Sequence, residues 1–470
     1  MSEVLVIGAG VNGLVAATYL ARAGAAVTVL EAGNVAGGTC ANRLAVGEHL
    51  VPAGPHAFSA LDPRVLKDFD LTRNLIFLHR DLPLTLLRDG ETLAFSRDVH
   101  ETQNGLARQS ARDAARYPAF RRNHFAFARS MRSLWWEDGA VAGEATHAAL
   151  RRLQVTPAMA LIEENFEAEM ARAAFAFDAL ACNPAAPGSA LVMAWAAAQE
   201  MCGLQGATAV PLGGPAILVD ALVAAANAAG VVIRFDAEVT RLDVSGEAIR
   251  GAVLASGETV EGRTVLSCLS RKKTLLDFLP PGAAGFAATR KYATAAEVGE
   301  AKLVLALKSC PPVFARPARY VIAEKLENVA LSYAEARAGR IASDVFLEAV
   351  VIEAGAPPDV LLSIRIRPVP VAPLEGWRSA AAELVPAVVR VLERQAPGLA
   401  ASITGFGFVP PEPRDALCLA DLVEPWPKRI MTPVRGLYLC GAAAEPVPCI
   451  SGRAGRIAAT MVSADWEAAT

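Results

Sequence analysis

The chain has 470 residues, too many for one core, which points to about two domains. Hydrophobic residues make up 53% and charged residues 20%, so large cores can be buried; a net charge of −3, with no zinc-finger or basic-arm pattern, argues against a nucleic-acid partner. Eight scattered cysteines with no CxxC indicate neither a zinc site nor a thioredoxin-like pair, so no metal is expected and the thiols read as buried and reduced.

MSEVLVIGAG enters a strand at once, with no basic leader and no cleavage site. VLVI (4–7) is a short apolar run, as in a strand buried on both faces. GAGVNG supplies Gly8, Gly10 and Gly13, and LVAATYLARAG (14–24) follows with helical spacing. AVTVLE (26–31) is a second strand ending in Glu31. This order is the context that a dinucleotide fingerprint requires. Gly8 allows the tight turn, Gly10 lets a pyrophosphate approach, and Gly13 lets the helix pack on the strand. Glu31 can accept hydrogen bonds from both ribose hydroxyls, and its charge disfavours the 2′-phosphate of NADP. Asn12 in the turn and Ala32 after the acid belong to the same cofactor-contact set.

A second glycine pair, Gly37 and Gly38, lies six residues beyond Glu31 and precedes Thr39. A plain NAD site does not need it. The pair predicts that the chain runs close to something flat and extended beyond the adenosine half. Residues 51–71 then read as a loop and a short helix, with His56 in GPHAF. As an acid–base, His56 is attractive for its ordinary pKa of ~6.5; as a structural residue it is a hydrogen-bonded loop histidine. Residues 99–135 read as helical and Arg-rich. Their basic face would attract a carboxylate or an anionic membrane face, or be a solvated surface. Residues 141–205 read as Ala-rich helices. ALACNPAAPGSALVMAWAAAQ (179–199) is interrupted by two prolines and a glycine, so it reads as core or the wall of an apolar pocket rather than a membrane span.

From 208 the pattern is loop, helix, strand, hairpin and strand, ending in VLSC with Cys268. Residues 291–404 alternate strand and helix. The last segment, GLYLCGAAAEPVPCISGRAGRIAATMV (436–462), is a strand, a loop and a helix expected to open at Ile450. Cys40, Cys440 and Cys449 flank segments expected near the cofactor.

GxGxxG, a strand ending in Glu, the second glycine pair, SARDAARYPAF (110–120), the PLGGP helix, the AEVTRL strand and GLYLCGA…SGRAGRIAA together resemble the phytoene-desaturase-like branch of the FAD-dependent amine oxidase superfamily. The likeness spans nearly the whole chain. It implies FAD as cofactor and an α/β fold: a discontinuous Rossmann-like FAD-binding domain from residues 1–60, 205–290 and 405–470, with an inserted mixed α+β substrate domain from 61–204 and 291–404. It also implies that the backbone of Val239 meets the adenine, that Gly441 lies near the pyrophosphate or ribityl chain, and that Ile450 presents its N–H to the flavin. Three features depart from the family. Thr39 replaces the arginine of its GGR, and EPVPCISG replaces its glycine run; Cys268 stands where the family has asparagine. The implied activity is hydride removal from a C–H bond of a small apolar substrate, as in a desaturase, dehydrogenase or amine oxidase, with an electron acceptor that the sequence does not name. A flavin-holding interaction protein and a polyene isomerase are the alternatives. A cytoplasmic location is expected, with peripheral membrane contact left open.

Overall fold

The computed structural model describes residues 3–469 apart from 138, 294–295, 324, 354–359 and 413–414. Five strands form an all-parallel sheet in the spatial order Val232–Arg234, Ala26–Leu30, Glu3–Ile7, Thr264–Ser267 and Leu437–Leu439. Alternate residues feed two cores. Val4, Val6, Val27, Val29, Leu266 and Leu439 meet the helices Val11–Arg22, Ala216–Ala228 and Arg453–Ala469. Leu5, Ile7, Leu30, Val265 and Leu437 meet a three-stranded antiparallel sheet built from Val239–Ser245, Ala248–Leu254 and Thr259–Glu261. Burial on both faces explains why these strands read as continuous apolar runs.

The second large sheet has seven strands, in the order Ile403–Val409, Val298–Leu307, Val360–Pro370, Phe346–Glu353, Arg319–Ile322, Leu84–Arg88 and Glu91–Phe95. All neighbours are antiparallel except Arg319–Ile322 with Leu84–Arg88. One face packs on Leu384, Val388 and Leu392 of helix Gly376–Gln395. The opposite face carries polar side chains toward the functional site. A layer of helices, including Ala111–Ser130, Glu169–Ala179 and Ala190–Ala198, packs around its own core of Trp135, Phe166, Phe177 and Leu191. The basic helix begins where Ser110 Oγ accepts the Asp113 N–H at 3.1 Å.

The closing helix begins at Arg453, three residues later than the pattern suggests. Gly452 has φ of 74°, outside helical space, and the Ser451 hydroxyl accepts the Arg453 N–H at 2.9 Å. Ile450 therefore lies in the preceding loop. Among the described residues, no helix is long and apolar enough to cross a membrane.

Candidate active site

A cavity of about 1250 Å³ lies between the two large sheets and the helical layer. Its floor is the fingerprint turn. Gly8 adopts φ of 98°, which L side chains rarely adopt. A Cβ on Gly13 would stand 2.1 Å from Gly8 O, so the helix can reach the strand only through glycine there. Gly10 caps the helix Val11–Arg22 without a side chain, and Val11 and Asn12 border the cavity. The unpaired N–H groups and positive dipole end of that helix suit an anion. Asn12 also accepts the Gly455 N–H at 3.4 Å, joining the first helix to the last. Glu31 accepts the Ala9 N–H at 2.8 Å and the Gly33 N–H at 3.0 Å. A carboxylate has about four lone-pair sites, so acceptor capacity is left for ribose hydroxyls.

The second glycine pair docks on the first. Gly37 N–H donates to Ala9 O at 2.8 Å, and Gly37 bridges to Gly10. Gly37 has φ of 118°, and its Cβ would meet Val219 at 3.0 Å. Thr39 continues the contact: its carbonyl accepts the Gly54 N–H at 2.9 Å. The extended partner of Gly37 and Gly38 is thus the fingerprint turn itself.

Gly441 closes the far side. A Cβ there would lie 2.2 Å from Cys268 O. The Cys268 and Cys440 sulfurs, at the ends of adjacent parallel strands, are 3.1 Å apart. Gly8, Gly10, Asn12, Glu31, Gly37, Gly38, Thr39, Cys268, Gly441 and Ile450 all border the cavity. Gly13 packs beneath it. Ala32 is exposed and outside the lining, and Val239 is buried with Leu30 in the core behind the sheet.

His56 borders the cavity and shares a 2.7 Å hydrogen bond with Ser363 Oγ through Nδ1. Burial, reinforced by the Lys302 ammonium, pushes its pKa down to about 3. At neutral pH it is an uncharged, hydrogen-bonded ring, which is the geometry of a loop histidine. Lys302 is 5% exposed and donates from Nζ to Pro52 O at 2.7 Å and Gly54 O at 2.5 Å. Burial, with Arg365 adding, lowers its pKa to about 8 against the pull of Glu300. Beyond it, Arg365 joins Glu348 at 2.9 Å and Glu300 at 2.8 Å, and Arg319 joins Glu348 and reaches Asp178 at 2.9 Å. Burial opposes ionisation of Glu348, but Arg319 and Arg365 overcome it and hold the carboxyl well below the usual range.

The loop that replaces the family's glycines is pinned from below. Glu445 accepts from the Ser451 hydroxyl and faces Arg453 at 3.5 Å; Asp62 pairs with Arg456 at 2.9 Å. Arg453 has no exposed surface. Pro446, Pro448 and Cys449 line the cavity above this set. None of Lys302, Glu348, Arg365, Glu445 or Arg453 was expected from the sequence. The available signal was a charge inside an apolar stretch, as in KLVLAL or GRAGRIAA.

A family model for flavin containing amine oxidoreductases matches residues 12–293. The chain belongs to that family. It is an FAD-dependent oxidoreductase, and the glycine cradle, the helix terminus and Glu31 fit the cofactor's pyrophosphate and ribose. Rat (Rattus norvegicus) pyridine nucleotide-disulfide oxidoreductase domain-containing protein 2 is 26% identical, with 98% of this chain and 93% of the rat protein aligned. Cyclohexylamine oxidase from Brevibacterium oxydans shares the fold at a TM-score of 0.62 and 16% identity, over 99% of both chains. Putrescine oxidase bound to putrescine shares it at 0.64 and 14% identity, again over 99% of both. In this flavin containing amine oxidoreductase the cavity continues past the cofactor cradle. One side is apolar, with Phe175, Val192, Met193 and Trp195; the other is the charged sheet face.

Proposed function

We propose that the protein removes hydride from a C–H bond of a small substrate with an apolar body, in the manner of a desaturase, dehydrogenase or amine oxidase. The observation that carries this reading is the single cavity that joins the fingerprint glycines to the apolar wall of helix Ala190–Ala198. FAD, when bound, would supply the hydride-accepting chemistry. The chain's part is to hold, orient and exclude water. Gly8, Gly10, Gly37 and Gly38 bring backbone close to the cofactor, and Glu31 anchors its ribose. Lys302 ties the 52–54 loop to the sheet and adds a positive charge that favours negative charge developing in the cavity. Neutral His56 holds its loop against Ser363 without adding a positive charge. Pro446 and Pro448 stiffen the loop facing the substrate space.

Direct reduction by substrate, rather than by NAD(P)H, is supported by the presence of one all-parallel sheet and one fingerprint among the described residues. The test is anaerobic stopped-flow mixing of the FAD-loaded protein with hydrophobic amines, polyenes, NADH and NADPH. Bleaching of the flavin's visible band by an amine or polyene is expected. Rapid bleaching by NADH or NADPH alone would move the protein to a reductase.

A further inference from the structure

A second recess, of about 670 Å³, opens between the basic helix Ala111–Ser130 and the hairpin formed by Glu200–Met201 and Leu204–Gln205. We propose that this recess is the outer part of the substrate site and takes the anionic headgroup, a carboxylate or phosphate, of a substrate whose apolar tail enters the cavity. The inference rests on the reading above that the cavity holds the substrate, and it names that substrate's class.

Five guanidinium groups line the recess: Arg97, Arg121, Arg122, Arg129 and Arg132. Among the described residues, Arg132 pairs with Glu200 at 2.9 Å and Arg97 with Asp81 at 2.5 Å, while Arg121, Arg122 and Arg129 pair with no carboxylate. Three positive charges therefore stay uncompensated around one opening. A merely solvated helix face would leave its arginines loose. Here neutral acceptors hold two of the three: Arg129 donates twice to Gln205 Oε1, at 3.1 and 2.9 Å, and Arg121 donates to Arg97 O at 2.8 Å. Carbonyl acceptors fix the guanidinium planes without cancelling their charge, which prepares them for forked contact with carboxylate or phosphate.

The recess adjoins the active-site cavity across a shared wall. Arg97, Arg121, Phe125 and Gln205 line both. Gln205 braces this partition by donating to Phe125 O at 3.0 Å and Ala197 O at 2.9 Å. In the cavity lining, Trp195 is 6% exposed and its buried indole N–H has no partner among the described residues. Burying an indole donor unpaired is unfavourable unless a ligand accepts from it. The recess thus offers charge, and the adjoining cavity one unsatisfied donor and the apolar Phe175, Val192 and Met193. That combination matches an amphiphile with an anionic end.

The test uses the full-length FAD-loaded protein with oxidised flavin, so no turnover is needed. Dodecyl phosphate, laurate and dodecyl maltoside are titrated as monomers, with binding read by calorimetry and by the shift of the flavin spectrum. Both anions are expected to bind about tenfold or more tighter than the maltoside. The variant Arg121→Gln/Arg122→Gln/Arg129→Gln should lose about tenfold for the anions and nothing for the maltoside, with FAD content unchanged. Which anion binds tighter assigns the headgroup. Where the triple variant fails to fold, the wild-type protein decides: anion affinity should fall as salt rises while maltoside affinity does not. Equal affinity for all three tails, or no response to salt or to the variant, overturns the proposal. Binding to phosphatidylglycerol vesicles with no spectral response to either free anion also overturns it and makes the face a membrane contact. Flavin reduction by a neutral or cationic amphiphile, without anion preference, would remove this inference and leave the oxidoreductase reading standing.

Discussion

The two large sheets present opposite kinds of surface to the same cavity. The five-stranded sheet offers backbone: glycines without room for a Cβ, free helix N–H groups and one terminal acid. The seven-stranded sheet offers side chains: Arg365, Glu348 and Arg319, cross-linked from strand to strand, and Lys302, tied to the 52–54 loop, with Lys302 and Glu348 buried and the two arginines partly so. A cofactor with fixed chemistry suits a fixed backbone cradle. A wall of long charged side chains can be varied position by position, which suits the part of a site that selects among substrates.

The strongest way to break this comparison is Glu348→Gln. It leaves a neutral amide between Arg319 and Arg365, which keep Asp178 and Glu300, so a loss of about 3 kcal/mol, the lower end for a broken buried pair, is expected. Denaturant unfolding should show that loss, and FAD affinity in the surviving folded fraction should stay near wild type. Gly13→Ala attacks the other surface. Its Cβ would be 2.1 Å from Gly8 O, so overpacking of about 3 kcal/mol is expected, weakening FAD retention about 100-fold on desalting. If Gly13→Ala kept its FAD, the backbone account of the cradle would be wrong.

Glu31→Gln sharpens the contrast at lower cost. Loss of charge-assisted hydrogen bonding should weaken FAD binding by about 2 kcal/mol, read as the dissociation constant, without shifting the unfolding midpoint of the seven-stranded region. The smallest effect is a pH inflection. Lys302 loses its proton as pH rises through about 8, and with it the positive charge at the cavity wall. Flavin reduction by substrate should slow across that range, and Lys302→Met should be slower below pH 8 and flat through it. An inflection that persists in Lys302→Met would assign it to another group.

The cradle was legible because its rules are local. Three glycines within six residues, a helix behind them and an acid at the next strand's end are fixed by spacing alone. The role of Gly37 and Gly38 was half legible: their closeness to something was readable, but their partner, Gly10 of the first turn, requires the fold. The charged wall was not legible. Arg365 meets Glu348 across adjacent strands and Glu300 from a strand 65 residues earlier. In sequence, IRIRP reads as a strand with one wet face, yet that face is turned inward. His56 stood out because histidine is rare in this chain; Lys302 did not, because one lysine among 45 basic residues carries no signal until its strand is known to be buried.

The docking of Asn12 on Gly455 has a consequence for how the protein is made. One cavity is lined by Gly8, Gly10, Gly37 and Gly38 from the first strands and by Gly441 and Ile450 from the last loop. At about 5–20 residues per second, a ribosome releases these two pieces roughly 20–80 s apart. Throughout that interval the nascent chain carries the fingerprint residues without the last loop that borders the same cavity. On the proposed site, capture of FAD is expected to be the closing event of biosynthesis, and a chain cut short before residue 441 is expected to emerge colourless.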